Sequence, residues 1–297
     1  MSDTPQAYIL VGPTASGKSS VAQLLAEQTG APIVSADSMN IYRGMDIGTA
    51  KPTADERGTV HYSGIDLADP TEAFSVGDWL DAIKPSFQTL ETPIVAGGTG
   101  LYVKCLLAGL DEMPAADEEL RARAEKMTLA ELQAEARAAA PEAYTALADN
   151  ENPRRLVRLL EHGGKVSKPW KAELPTVVGL HVEREILLKR IAERVDQMYA
   201  SGLIEEARGL IGLELSATAE KAIGYAEAFA VLKNEMTETQ AKERTIIRTR
   251  QLAKRQMTWF RTQLNVEWVD TAGFPTLGKV AEEVSKVWKK VPVALLD

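Results

Sequence analysis

Residues 12–19 read Gly12-Pro13-Thr14-Ala15-Ser16-Gly17-Lys18-Ser19, the spacing of a phosphate-binding loop. Gly12 and Gly17 let the backbone curl so that successive N–H groups point at phosphate oxygens. Lys18 adds a point charge, and Ser19 offers a hydroxyl to Mg²⁺. The flanks suit this chemistry. The apolar run Tyr8-Ile9-Leu10-Val11 feeds the loop as a buried strand, and Ser19 to Ala26 continues with helical character. Such a chain binds a di- or triphosphate.

Three further segments carry polar groups toward the same chemistry. Asp37-Ser38 closes a second apolar run, Pro32 to Asp37, and in a parallel sheet the carboxyl end of that strand opens beside the phosphate loop. A carboxylate there either serves Mg²⁺ or a proton transfer, or caps the next helix. Gly44 to Pro52 is a glycine-punctuated polar loop near the same edge, with a plain connection as the alternative. Gly97-Gly98-Thr99-Gly100 either brings Thr99 and backbone N–H groups close to a ligand or simply turns a strand into a helix.

The charge distribution points to a polyanionic partner. The 297 residues carry a net charge of −8, yet Arg244 to Arg261 hold six basic residues and no acid. On a helix Arg244, Arg248, Gln251 and Arg255 share one face, with Lys254 and Arg261 on a neighbouring one. Such a stripe tracks a phosphate backbone, with Gln251 and Gln256 available for base edges; the alternative is a solvated surface helix. Arg154, Arg155 and Arg158 form a second basic face. Trp259 and Phe260 suit core packing better than base stacking. Residues 111–151, by contrast, hold eleven acids against four bases.

The elements that must position these groups follow from periodicity. Strands are expected at 8–12, 32–37, 64–67, 92–98, 177–182 and 266–269. Helices are expected at 18–29, 75–90, 99–110, 184–200, 203–211, 218–234, 237–263 and 275–290. Pro85 should kink or split the second helix. Alternating strands and helices indicate a parallel sheet wrapped by helices. Residues 115–148, rich in Ala, Glu, Leu and Arg and with a capping box at Thr128-x-x-Glu131, read as a helical insertion. Asn152-Pro153 opens another helix. Cys105 is the only cysteine, which excludes internal disulfides and thiolate metal clusters. His61, His162 and His181 have no metal-ligand spacing. No apolar stretch approaches membrane-spanning length, and the polar N-terminus lacks a secretory basic region, so a cytoplasmic location is expected.

Taken together, the segments resemble the bacterial tRNA dimethylallyltransferases, also called tRNA isopentenyltransferases. The resemblance rests on residues 12–19, Ser35 to Tyr42, Gly44 to Pro52, Gly97 to Tyr102, Ala222-Ile223-Gly224-Tyr225 and Arg250 to Arg261. It implies an α/β fold, a P-loop NTPase-like parallel sheet flanked by helices, with a discontinuous catalytic core of 1–113 and 151–297. A small all-helical insertion domain of 114–150 would face tRNA. It further implies transfer of the dimethylallyl group from its diphosphate to N6 of the adenosine 3′ to the anticodon. By the resemblance, Asp37 is the base and Thr99 lies beside the reacting centre. Residues 12–19 and Lys221 meet diphosphate, with Mg²⁺ on Ser19. The tRNA anticodon stem-loop meets Asp37, Ser38, Met39, Asn40, Thr99, Arg121, Arg154, Arg155, Arg158, Lys254, Arg255, Gln256, Trp259 and Arg261. A monomer is expected.

Three departures from the family pattern stand out. Asn40 replaces a common Gln, which shortens the reach to the base. Lys221 stands where some members carry Arg, keeping the charge but losing the bidentate fork. The zinc-finger extension of eukaryotic relatives is missing. The rival readings are a free-adenylate isopentenyltransferase, a P-loop small-molecule kinase, and a nucleotide-gated RNA-binding protein without catalysis.

Overall fold

The run at 8–11 becomes the middle of a parallel sheet in the computed structural model of the chain, which describes residues 5–88, 90–110, 117–147, 149–163, 173–290 and 293–294. The strands are β1 (Gln6–Val11), β2 (Ile33–Ser35), β3 (Tyr62–Ser63), β4 (Ile94–Gly97), β5 (Thr176–His181), β6 (Asn265–Asp270) and β7 (Val293–Ala294). Their order is β3-β2-β4-β1-β5-β6, every neighbour on that path parallel, with β7 antiparallel on the start of β1.

Fourteen α-helices are described. The first four are α1 (Lys18–Thr29), α2 (Ala54–Arg57), α3 (Val76–Ile83) and α4 (Gly100–Ala108). Next come α5 (Glu118–Ala124), α6 (Leu129–Ala139), α7 (Pro141–Ala146) and α8 (Pro153–Glu161). The last six are α9 (Arg184–Ala200), α10 (Leu203–Gly209), α11 (Ala217–Glu220), α12 (Tyr225–Leu232), α13 (Glu238–Gln263) and α14 (Leu277–Lys290).

Alternation along the strands splits the apolar residues between two layers. Ile9, Val11, Val34, Val95 and Val177 join Tyr42, Trp79, Tyr199, Tyr225 and Phe260 on one side. Leu10, Ile33, Ile94, Val178 and Leu180 pack against α1 and α14 through Val21, Leu25, Val284 and Trp288 on the other. A sheet buried on both faces is what βαβ crossovers require.

The chain divides into two compact units, Met1–Gly109 with Glu173–Asp297, and Leu110–Ala172. The second unit is wider than the 114–150 segment read from sequence. Its core joins Leu132, Ala136 and Tyr144 to Leu156 and Leu159, so α8 belongs with α6 and α7. Within it, the Glu161 side chain is fully buried and accepts from Arg121 at 2.7 Å and Arg158 at 2.9 Å. Burial pushes its pKa up, but those two arginines and the Asp117 N–H outweigh burial and hold it below the usual range.

Two expected elements come out differently. The strand expected at 64–67 is instead Tyr62–Ser63, because Gly64 (φ 76°) and Asp66 (φ 54°) take left-handed conformations that end the extended run. Residues 66–68 then bond back to the carbonyls of Asn40 and Ile41. The helix expected at 218–234 breaks into α11 and α12 at Gly224, whose φ of 94° no right-handed helix admits. Pro85 does end α3, opening a 3₁₀ turn at Lys84–Phe87.

The 44–52 loop is held by a buried lysine. The Lys51 side chain is 4% exposed, and its Nζ donates to the Tyr42 carbonyl at 2.6 Å, Asp46 at 2.5 Å and Asp66 at 2.6 Å. Lys51→Met leaves two facing carboxylates and an unpaired carbonyl. We expect a loss of about 2 kcal/mol in urea unfolding, the cost of unsatisfied buried polar groups; an unchanged midpoint would make the knot dispensable.

Candidate active site

A parallel sheet brings the loops after β1, β2 and β4 to one edge, and here they enclose a cavity of ≈ 400 Å³ in the larger unit. Thr14, Lys18 and Ser19 line it from the first loop, Asp37 to Asn40 from the second, and Gly97 to Thr99 from the third. α9 adds Arg194, and Lys221 enters beside Gly224.

The phosphate loop has the backbone its glycines suggest. Gly17 (φ 88°) caps α1, whose first residue is Lys18, and Ala15 shares the left-handed region. A Cβ on Gly12 would lie 2.8 Å from Ser16 Oγ, so glycine is required there by close packing. Ser16 is buried and its Oγ lacks a hydrogen-bond partner. Pro13 offers its carbonyl to Lys18 Nζ at 3.4 Å.

Gln256 of α13 binds two of these loops together. Its Oε1 accepts the Thr14 N–H at 2.8 Å, and its Nε2 donates to the Gly98 carbonyl at 3.1 Å. Gln256, read from sequence as available for a base edge, here spends both amide atoms on this bridge. Three residues on, Trp259 covers Gly100 so closely that a Cβ there would sit 2.1 Å from the indole, and it meets Phe260 edge-on. Trp259 therefore packs against the start of α4, the core role favoured for it from sequence.

Asp37 does not cap a helix, since residues 38–53 contain none. Its Oδ1 accepts the Met39 N–H at 3.0 Å. Thr99 fixes the same turn, accepting the Ser38 N–H at 2.9 Å and donating to Ser38 Oγ at 3.3 Å. Asn40 is buried, with Nδ2 toward Ser35 Oγ at 3.4 Å and Oδ1 unpartnered.

The electrostatics favour a bound anion. Burial lowers the Lys18 pKa to about 8, with Asp37 opposing that shift and Arg194 adding to it. Burial also lowers Arg194, again opposed by Asp37. One carboxylate thus faces two desolvated cations, an arrangement short of negative charge. Arg194 escaped the sequence reading because α9 also carries Arg184, Lys189 and Arg190, so nothing local marks it as buried.

The basic strip is divided by the fold. Arg244 and Arg248 reach buried Glu227 of α12, at 3.6 and 2.5 Å, and Arg248 also donates to the Lys221 carbonyl at 2.9 Å. Arg250, Gln251, Lys254 and Arg261 line a separate groove of ≈ 570 Å³ with Pro13, Arg184 and an aliphatic floor that includes Leu187, Ile191 and Met257. Arg255 is exposed outside it. In the smaller unit Arg154 and Arg155 are exposed, while Arg121 and Arg158 share Glu161.

A family model described as IPP transferase matches residues 40–263, and one described as Isopentenyl transferase matches residues 5–61. A tRNA dimethylallyltransferase of Streptomyces griseus is 41% identical over 284 residues, 89% of this chain and 90% of that protein. The chain belongs to the tRNA dimethylallyltransferase family. The crystal structure of the full-length tRNA isopentenylpyrophosphate transferase from Bacillus halodurans superposes with a TM-score of 0.72 at 35% identity, covering 96% of each chain. A eukaryotic dimethylallyltransferase acting on tRNA gives a TM-score of 0.80 at 20% identity, covering 97% of this chain and 79% of that one, and shares the fold. The α/β sheet read from sequence is therefore the dimethylallyltransferase fold. Among the described residues no helix is long and apolar enough to cross a membrane, and no cluster of three His, Cys, Asp or Glu could hold a metal.

In this dimethylallyltransferase the Lys18 charge is conditional. A group whose pKa is depressed to about 8 is largely neutral at pH 8.5, and a bound diphosphate restores its proton. Calorimetry of dimethylallyl diphosphate binding at pH 8.5, where the diphosphate is fully ionised, should therefore show net proton uptake. The uptake should vanish at pH 6.5 and in Lys18→Met. Enthalpies independent of the buffer's ionisation heat at pH 8.5 would contradict the shift.

Proposed function

We propose that this protein transfers the dimethylallyl group from dimethylallyl diphosphate to the exocyclic N6 of the adenosine 3′-adjacent to the anticodon of tRNA, releasing diphosphate. The observation that carries the reading is one cavity lined by Lys18, Ser19, Asp37 and Arg194, in a chain of this family. Diphosphate sits on residues 12–19, with Lys221 lining the same cavity. The allylic C1–O bond breaks, its electron pair leaves with diphosphate, N6 bonds to C1, and the N6 proton passes to Asp37. Lys18 and Arg194 stabilise the charge that develops on the leaving group, in a desolvated setting where such stabilisation is strongest. Thr99, tied to Ser38, holds the turn that carries Asp37.

Mg²⁺ fits the donors present. The Ser19 hydroxyl is a hard oxygen ligand lining the cavity that takes the diphosphate, and Mg²⁺ binds through one or two protein ligands plus substrate phosphates, which leaves Asp37 free as the base. When bound it supplies further neutralisation of the diphosphate oxygens.

An adenine inside a stacked loop cannot reach such a cavity, so the base must leave its stack. The groove bearing Arg184, Arg250, Lys254 and Arg261, with exposed Arg255 nearby in sequence, supplies sequence-independent phosphate contacts. Exposed Arg154 and Arg155 of the smaller unit supply more. This charge favours RNA over free adenylate as acceptor, since a mononucleotide needs no second basic groove.

Mass spectrometry of unmodified tRNA incubated with protein, Mg²⁺ and dimethylallyl diphosphate should show one dimethylallyl increment on an adenosine beside the anticodon. Prenylated AMP with untouched tRNA would make the enzyme an adenylate transferase. Asp37→Ala should lower kcat about 10²–10⁴-fold while tRNA affinity holds; retained turnover removes Asp37 as base. The double variant Lys254→Gln, Arg261→Gln should flatten the dependence of log K on log salt by about 0.7 to 0.9 per lost phosphate contact. Arg248→Gln, whose charge is already spent on Glu227, should leave that slope unchanged. The reverse pattern would move the RNA surface.

A further inference from the structure

Residues 44–52 form no helix or strand, yet Gly48, Thr49 and Ala50 make one wall of the cavity. Their rigidity is imposed from α10 and α12, far away in sequence. The Glu206 carboxylate accepts three consecutive backbone N–H groups, from Asp46 at 3.1 Å, Ile47 at 3.0 Å and Gly48 at 3.4 Å. It also accepts the Tyr225 phenol in a short hydrogen bond. Tyr225 is fully buried, and its oxygen accepts the Gly48 N–H at 3.2 Å. A Cβ on Gly48 would lie 2.4 Å from the Tyr225 ring, so the wall rests directly on that ring.

The wall shares the cavity with apolar lining as well as with cations: Val195, Met198, Ala222 and Ile223 line it beside Lys18, Arg194 and Lys221, and Ala222-Ile223 lead straight into Gly224 and Tyr225. The volume of ≈ 400 Å³ is near the bottom of the about 300–1,000 Å³ usual for ligand pockets, although two reactants must meet in it. An added isoprene unit is excluded only if this boundary does not yield. Rejection of surplus methylenes by an apolar pocket depends on a wall that cannot move aside.

We propose that Glu206 is a positioning residue for donor selection: by clamping the 46–48 backbone and Tyr225, it fixes the wall that limits the allylic chain to five carbons. Glu206 touches no reacting atom and acts through the wall. The inference rests on the prenyl-transfer reading above and adds to it the residue that sets chain length.

The test compares kcat/KM for dimethylallyl and geranyl diphosphate on the same tRNA, in the wild-type protein, Glu206→Ala, Glu206→Gln and Tyr225→Phe. Glu206→Ala should raise the geranyl-to-dimethylallyl ratio about tenfold or more and raise KM for dimethylallyl diphosphate, with tRNA affinity unchanged. Glu206→Gln keeps an accepting oxygen and Tyr225→Phe keeps the ring, so both should shift the ratio less. They also read the same quantity if Glu206→Ala fails to fold. Rates that fall in parallel for both donors, at an unchanged ratio, would overturn the proposal, because loss of folded enzyme moves both equally. Hydrogen exchange of the 46–48 amides should accelerate in Glu206→Ala, and unchanged protection would also overturn it. A wild-type protein that prenylates tRNA with neither donor would refute the reading of function, and the donor role with it, while the exchange rates still judge the clamp.

Discussion

Gln256 holds the Thr14 N–H on one side of its amide and the Gly98 carbonyl on the other, and the cavity keeps its shape through that bridge. Loops at the carboxyl edge of a parallel sheet share a neighbourhood but are not tied by the strand ladder, so side chains must join them, as Thr99 joins Ser38. A single amide, carrying both a donor and an acceptor, joins the phosphate loop after β1 to the glycine turn after β4. The helix behind it is rigid for good reason. α13 runs 26 residues from the Thr237 capping box, buries Phe260, lays Trp259 on Gly100 and ends with Gln263 accepting from Lys104. Displacing Gln256 would therefore mean moving the helix.

The same helix shows how position sorts like charges into unlike tasks. Arg248 sits where α12 offers buried Glu227, so its guanidinium fixes the Lys221 carbonyl at the cavity rim. Lys254 and Arg261 face a groove whose lining carries no carboxylate. Inside the cavity Lys18 and Arg194 share one acid, Asp37, and both are pushed toward neutrality by burial. Desolvation raises the cost of each unpaired cation and so raises the gain when a diphosphate arrives. The Lys51 knot is the opposite case: two carboxylates and a carbonyl satisfy its ammonium fully, and the outcome is a stiff loop with no appetite for ligands.

What the sequence could disclose was whatever is contiguous. The phosphate loop needs only neighbours in the chain, and Thr128, Thr237 and Asn152 cap their helices with partners two or three residues away. The Pro85 break is equally local. Periodicity placed most strands, but it could not see that Gly64 and Asp66 would turn left-handed to bond the Asn40–Ile41 carbonyls. The face of Arg244 and Arg248 looked solvated or RNA-facing because Glu227 belongs to another helix. Arg194 and Glu206 were invisible for the same reason, and Tyr225 stood out only as the end of the Ala222-Ile223-Gly224-Tyr225 segment. The backbone partners of Glu206 lie about 160 residues away along the chain, and one of two adjacent glutamates in the first turn of α10 carries no local sign of such a role.

An enzyme that acts on RNA with a net charge of −8 must balance attraction against release. A uniformly basic surface would hold any RNA through counterion release and would slow the departure of product. Here the acids outnumber the bases over the chain, while a groove lined by Arg184, Arg250, Lys254 and Arg261 and the exposed Arg154 and Arg155 of α8 present cations to a polyanion. Phosphate contacts of that extent orient an RNA without retaining it. Discrimination then falls to the cavity, where a base must reach the Asp37 turn beside a donor bounded by the wall that Glu206 holds in place. The weak general grip and the stiff pocket are two parts of one division of labour: the surface sets how often RNA arrives, and the clamped loops set which atoms react.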